Sequence, residues 1–346
     1  MHSMTATHAP MQFRPLGHSG ILVSRICVGT MMFGGPTPEP EAHRIVDDAH
    51  AHGVNFIDTA NAYADLESER VVGRAIKAHR RDWVVATKVA NAVSKNPLDA
   101  GLSRRHVMMA CDDSLTRLGT DVIDLYYVHK VDPNTPWPQV IATFGDLIRL
   151  GKIREWGLSN VRGWQIADIC HLADRMGVPR PAALQPYYNL MNRQPEVEVL
   201  PAARHFGLGV VPYSPIARGV LTGKYAPNVL PEAGSRAARK DKRMLETEMR
   251  IESFEIADTL KAHCAARGVS MVHWAVAWVL NNAAVTSCIA GPRTFEQWQG
   301  YTAATTYAWT AEDEALGNAL VTTGHPSTPR FNDPAYPIVG RFAEVG

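Results

Sequence analysis

Asp58 and Tyr63 in FIDTANAY, Lys88 in WVVATKVAN and His129 in DLYYVHKVD stand at or just past the ends of three successive apolar, strand-like runs. A phenol titrates near 10 and is a poor acid at neutral pH, so a tyrosine that must release a proton needs a cation beside it to favour its phenolate. Lys88 supplies that charge. Asp58 keeps the ammonium protonated in a cavity dry enough to strip it, and His129 orients the oxygen that takes the proton. This set of groups is expected where a carbonyl becomes an alcohol and a cofactor carries the hydride. Singly, each residue has a plainer account as a loop aromatic, a core histidine or a structural ion pair. Four of them at strand ends make the joint coincidence improbable.

Such residues converge only if their strands end on one side of a common sheet. Apolar runs expected as strands fall at 26–29, 54–58, 84–88, 122–128, 153–159, 181–186, 209–214 and 285–290, after an N-terminal hairpin over 13–26. Helical patterns lie between them. Ala42, Ile45, Val46 and Ala49 follow the i, i+3, i+4, i+7 spacing and are closed by Gly53, while Ser103 caps a stripe of Val107, Cys111, Leu115 and Leu118 closed by Gly119. The rhythm predicts the α/β class: a single (β/α)8 TIM barrel with an N-terminal β-hairpin and a C-terminal tail over the active-site face. We expect a flexible leader at 1–10 and one barrel domain over 11–346. Residues 226–246 form a long loop on the active-site side, with RAARKDKR a solvated stretch, and 325–346 an irregular tail whose Phe331 and Tyr336 close over the pocket.

With 346 residues, 46% of them hydrophobic and 20% charged, the chain can bury a large core. A net charge of +1 gives no reason to expect nucleic acid or a membrane surface as partner, and the longest apolar runs, such as WAVAWVL at 274–280, are far short of a membrane span. MHSMTATHAP lacks the apolar core of a secretory signal. Cys27, Cys111, Cys170, Cys264 and Cys288 are odd in number and scattered, which suits reduced, buried thiols in the cytoplasm. No metal site is expected. His50-Ala51-His52 suggests a metal-dependent barrel hydrolase, but on a helix those side chains point about 200° apart and cannot share an ion.

Across these segments the chain resembles the aldo-keto reductase family, from LGHSGILVSRICVGTMMFGG at 16–35 through GLSN at 157–160, LQPYYNL at 184–190 and VPYSPIARGVLTGKY at 211–225 to AGPRTFEQ at 290–297. The resemblance carries the catalytic roles onto Asp58, Tyr63, Lys88 and His129, and implies carbonyl–alcohol interconversion with NADPH, NADH being possible. The hydroxyl and amides of Ser159, Asn160 and Gln185 suit a nicotinamide carboxamide, and Tyr213 offers an aromatic face to its ring. Ser214, Pro215, Ile216 and Gly219 resemble the family's pyrophosphate belt, with Lys224 as a charge clamp. Thr30, Arg218, Arg236 and Gln297 complete the cofactor set. Gly291 and Arg293 precede a helix N-terminus, an anion site suited to a 2′-phosphate. No GxGxxG occurs in a first βαβ unit, which disfavours a Rossmann site. Pro292, Gly300 and Tyr301 depart from the family pattern and remove contacts to the adenosine end. Met31, Met32, Phe33, Asn91 and Tyr188 are expected to line the pocket for a small-molecule carbonyl or alcohol. No residue selects among sugars, aromatic aldehydes, keto-steroids or diketones. The protein is expected to act as a monomer or homo-oligomer. A redox-sensing regulatory subunit that keeps the cofactor site but turns over little is the alternative.

Overall fold

Eight short apolar runs pair in parallel and close on themselves in the computed structural model of the chain, which describes residues 10–337 apart from 228 and 233. Residues 1–9 of the expected leader and 338–346 of the expected tail lie outside the described residues. β1 (Phe13–Pro15) and β2 (Leu22–Ser24) form the antiparallel hairpin. The barrel strands are β3 (Ile26–Gly29), β4 (Phe56–Asp58), β5 (Val84–Val89), β6 (Ile123–Val128), β7 (Ile153–Ser159), β8 (Ala183–Gln185), β9 (Gly209–Val210) and β10 (Cys288–Ala290), in the order β10-β3-β4-β5-β6-β7-β8-β9. A parallel bridge between Val210 and Val285, with Thr286 N donating to Val210 O at 2.8 Å and Ile289 N to Pro212 O at 2.9 Å, closes the seam.

Several strands are shorter than their apolar runs. Pro181, Pro186 and Pro212 have no N–H to give a ladder, so pairing stops beside them. The hairpin plugs one mouth of the barrel, where Leu16 and Val23 pack with the interior residues Cys27, Phe56, Ala86, Leu125, Tyr127 and Val211. Gly17 allows that approach: a Cβ there would sit 2.3 Å from Ala182 O, and its φ is +56°.

Helices form the outer layer: α1 (Glu39–Ala51), α2 (Glu67–Ile76), α3 (Arg104–Leu118), α4 (Trp137–Arg149), α5 (Gly163–Met176), α6 (Val199–Phe206), α7 (Lys242–Thr247), α8 (Ile251–Ala266), α9 (Met271–Asn281), α10 (Phe295–Ala303) and α11 (Ala311–Leu320). α1 buries Ala42, Ile45, Val46 and Ala49, and Ser103 Oγ accepts the His106 N–H at the start of α3. Two expectations change here. The loop expected to run to 246 ends at Asp241, whose carboxylate caps α7 by accepting from Met244 N at 2.9 Å. RAARKDKR is only partly solvated: Arg239, Lys240 and Lys242 are exposed, while Arg236 and Arg243 are half-buried, and all three arginines line a cavity.

Alternation along each strand decides what faces the barrel axis. Phe56, Ala86, Leu125 with Tyr127, Ala183 and Val211 point inward, while Ile57, Val85, Tyr126, Leu184 and Val210 face the helices. Two residues further along the same parity come Asp58, Lys88, His129, Gln185 and Tyr213. Gly157 shares it, because the Tyr127 ring lies 2.5 Å from where its Cβ would be, and Ser159 follows.

Candidate active site

The inward residues at the C-terminal strand ends form the floor of a cavity of ≈ 800 Å³. Beneath the floor, fully buried, Lys88 Nζ contacts Asp58 Oδ1 at 2.5 Å, Thr59 O at 2.7 Å and Tyr63 Oη at 3.2 Å. Gln185 Nε2 donates to the other Asp58 oxygen at 2.9 Å. Both ions are thus held by hydrogen bonds as well as by each other, which a pair this deep requires. Burial alone would depress the Lys88 pKa, but the Asp58 charge and its hydrogen bond hold it above the ordinary lysine value.

Tyr63 differs from expectation. Burial pushes its hydroxyl up, Lys88 pulls it down, and burial wins, so its pKa is raised rather than lowered. The phenol therefore carries its proton at neutral pH. The His129 ring meets the Tyr63 ring edge-on at 5.8 Å, and its Nδ1 lies 3.0 Å from Asn91 Nδ2. Burial, with Lys88 and Lys130 adding to it, drives the His129 pKa well below the usual 6.5, so the imidazole is neutral.

One wall continues along the strand ends. Ser159 Oγ donates to Gln185 O at 2.8 Å, Asn160 Nδ2 to His129 O at 2.9 Å, and Tyr213 Oη to Asn160 Oδ1 at 2.9 Å. Tyr213 stacks on Tyr187 at 5.6 Å. Backbone strain concentrates here. Ala64, Asp65 and Leu66 just after Tyr63, Ala90, Asn160, Ser214, Ala217 and Arg218 all have positive φ without being glycine, a cost that functional loops carry more often than scaffolds.

Besides Tyr63, the cavity is lined by Thr30, Met31, Met32 and Asn91, by Ser214, Pro215, Ile216, Arg218, Gly219 and Lys224, and by Arg236, Gly291, Arg293, Gln297, Gly300 and Tyr301. Thr30 is fully buried and ties Asp58 O to Ser68. Thr294 caps α10 by accepting from Gln297 N, Gln297 Oε1 accepts from Arg293 N at 2.9 Å, and an Arg293 amino group reaches Gly234 O across the cavity. A Cβ at Gly291 would meet nothing within 4 Å, which leaves room beside the helix N-terminus. Arg218, Lys224, Arg236, Arg239, Arg243 and Arg293 line the walls against the carboxylates Asp58, Glu232 and Glu296, a balance suited to an anionic ligand.

Two expected pocket residues lie elsewhere. Phe33 and Tyr188 are buried in the outer core, Tyr188 against Trp278 at 5.1 Å with its hydroxyl on Glu196. Alternation explains Tyr188: Tyr187 shares the parity of Gln185 and stacks behind the cavity residue Tyr213, so its neighbour turns to the helices. Of the tail, Tyr336 lines the cavity, whereas Phe331 packs against the Arg250 guanidinium at 3.8 Å. Arg239 and Arg243 join the cavity lining without a signal in the sequence, and Tyr187 backs Tyr213 from behind. Parity with Gln185 marks Tyr187; nothing local separates the two arginines from a solvated run. His50 and His52 have different partners, Asp82 Oδ2 at 2.8 Å and Asp48 O at 2.7 Å. His50, His79 and Asp82 do bring ligand-type atoms within 4.8 Å of one another, on α1 and the turn before β5 rather than in the cavity.

A buried Asp–Lys–Tyr chain thus lies under a basic cavity at one end of a parallel barrel, and sequence comparison gives the family. The profile described as Aldo/keto reductase family matches residues 25–317. "Uncharacterized oxidoreductase YrpG" of Bacillus subtilis is 39% identical over 83% of this chain and 89% of its own length. "Probable voltage-gated potassium channel subunit beta" of Oryza sativa is 34% identical over 81% of this chain and 87% of its own, and "Versiconal hemiacetal acetate reductase" of Aspergillus parasiticus 31% identical over 79% and 86%. The chain belongs to the aldo/keto reductase family. Its general activity is that of an oxidoreductase in a family that generally uses NAD(P)H. Among the described residues, no helix is long and apolar enough to cross a membrane.

Proposed function

We propose that the chain is an NADPH-dependent reductase interconverting small aldehydes or ketones with their alcohols, and that Tyr63 is the group that moves the proton. The observation that carries this reading is the contact of Lys88 Nζ with both Asp58 and Tyr63 under the cavity floor. Tyr63 enters the reaction protonated. Its loss of the proton places a phenolate beside a fixed ammonium, so Lys88 stabilises the product of transfer more than the starting phenol. His129, neutral and edge-on to Tyr63, donates a hydrogen bond to the same substrate oxygen. Asn91, Met31 and Met32 give the opening its shape.

The residues present fit a dinucleotide. Ser159, Asn160 and Gln185 offer hydrogen-bonding groups at the strand ends, Tyr213 an aromatic face, the 214–219 turn a pyrophosphate belt, and Arg293, Arg236 and the α10 N-terminus a phosphate site. When bound, NADPH supplies the hydride. Five free, buried cysteines suit a cytoplasmic setting.

Purified protein with NADPH and a panel of aldehydes, followed by cofactor absorbance, tests the reading; sustained oxidation that needs both components is expected. The potassium channel name of the rice relative supports a second reading, a cofactor-binding regulatory subunit. NADPH binding without turnover of any aldehyde would favour it.

A further inference from the structure

Arg218 sits in the belt turn, yet its side chain is not bound like that of a belt residue. Its backbone is left-handed at φ +50°, following Ala217 at +47°. The side chain is only 8% exposed, its guanidinium lies over the Tyr187 ring at 5.5 Å, and Tyr187 in turn backs Tyr213. Its Nε donates to Thr247 Oγ1 at 3.2 Å and stands 3.8 Å from Glu248. Among the described residues its two terminal amino groups meet no acceptor, though the residue lines the cavity. A guanidinium held from behind at Nε, with its forked end free in a concave wall, is prepared for a planar anion.

Its neighbours place it at the reaction end. Through Tyr187 the guanidinium stands one ring away from Tyr213, and it lines the same cavity as Tyr63, Tyr213 and Tyr336; its charge acts on those three tyrosines and also on Arg236. Two other cations near Tyr336 are occupied: Arg243 pairs with Asp333 at 2.5 Å and Glu246 at 2.7 Å, and Arg162 donates to the Tyr336 carbonyl. Phosphates of a dinucleotide find Arg293, Arg236 and the α10 N-terminus elsewhere on the cavity lining.

We propose that Arg218 is the anion handle of the substrate subsite, so that the enzyme prefers carbonyl compounds bearing a carboxylate a few bonds from the reacting carbon. This rests on the reductase reading and deepens it. The competing source of the same chemistry is the cofactor pyrophosphate, and the experiment separates the two. A short series of ω-oxo acids is compared with unbranched aldehydes of matching length, in wild type, Arg218→Gln and Arg218→Lys, alongside NADPH binding by calorimetry.

The wild type should favour the oxo acid of best length by about ten- to a hundredfold in kcat/KM. Arg218→Gln should abolish that preference while NADPH Kd moves by less than about threefold, and Arg218→Lys should restore part of it. A wild type without preference overturns the proposal, as does an Arg218→Gln variant that weakens NADPH and slows both series alike, which would assign the arginine to the pyrophosphate. If no aldehyde in either series is reduced, the reductase reading fails, but calorimetry of the matching alkanoates against the NADPH-loaded protein still decides the subsite. Binding lost in Arg218→Gln supports it, and no binding to wild type overturns it.

Discussion

The floor of the cavity and its basic rim are built by opposite means. Asp58, Lys88, His129 and Gln185 hang from strand ends whose register is fixed by ladder pairing, with Asp58 aligned to Ala86, and Lys88 to Tyr127. Each hydrogen-bonds another floor residue or the backbone beside it. The rim is assembled from a turn, a long loop and a helix N-terminus, and three of its cations each make one side-chain hydrogen bond: Arg236 to Asp241, Arg293 to Gly234 O, Arg218 to Thr247. Floor positions answer to the whole barrel, rim positions to one or two local bonds. Changes at the floor should therefore be all-or-none for chemistry, and changes at the rim graded for affinity.

The largest expected effect tests the floor. Tyr63→Phe removes only the proton donor and should lower kcat for reduction by about 10²–10⁴-fold while NADPH Kd stays near wild type. Lys88→Met should lose as much activity and also melt earlier, because it strands Asp58 as a buried, unpaired charge, a defect worth about 3–5 kcal/mol. Steady-state kinetics and thermal melts of both variants check this. If Lys88→Met changed only KM for the cofactor, the lysine would be a binding group and the contrast between the regions would collapse.

At the rim, Arg293→Ala should cut the kcat/KM preference for NADPH over NADH by about ten- to a hundredfold, the worth of one charge-assisted contact to a phosphate. kcat with saturating NADPH should hardly move. An unchanged cofactor ratio would place the 2′-phosphate elsewhere.

Much of the floor was legible from sequence because it depends on period-two alternation, and that alternation is written in residues such as Phe56-Ile57-Asp58 and Ala86-Thr87-Lys88. The same rule, carried one step further, separates Tyr187 from Tyr188. Strand lengths were overestimated, since apolar character continues through Pro181, Pro186 and Pro212 where hydrogen bonding cannot. Arg239 is exposed as expected, but Arg243 was read as solvated because charge patterning does not reveal that it pairs with Asp333 and Glu246 beside a cavity. The sign of the Tyr63 shift was not legible either: a sequence names the lysine that lowers it, but not the depth of burial that raises it.

The two pKa directions at the floor give a smaller effect. With His129 depressed below 6.5 and Tyr63 raised above 10, neither group changes charge between about pH 6.5 and 10. The rate of aldehyde reduction should lack a histidine break. An imidazole with its ordinary pKa would be about three-quarters protonated at pH 6 and cost about fourfold there. kcat/KM measured with pH should stay flat through that region and fall only as Tyr63 ionises above pH 10. A fall centred near 6.5 would mean that His129 meets bulk water.

The smallest expected effect belongs to a single rim bond. Asp241 does two things: Oδ1 caps α7 through Met244 N, and Oδ2 pairs with Arg236 at 3.2 Å. Asp241→Asn keeps an oxygen for the cap but removes the charge that competes for Arg236, so the helix should persist and the arginine become freer to meet a phosphate. Partly exposed pairs of this kind are worth about 0.2–1 kcal/mol, which predicts NADPH binding tighter by about 1.5- to fivefold at low salt. The gain should shrink as ionic strength rises and the Debye length falls below about 10 Å. NADPH titrations of wild type and variant at two salt concentrations read it directly. Weaker binding at both, with an unchanged melting temperature, would show that the ion pair orients Arg236 rather than restraining it, and that the rim is preorganised much as the floor is.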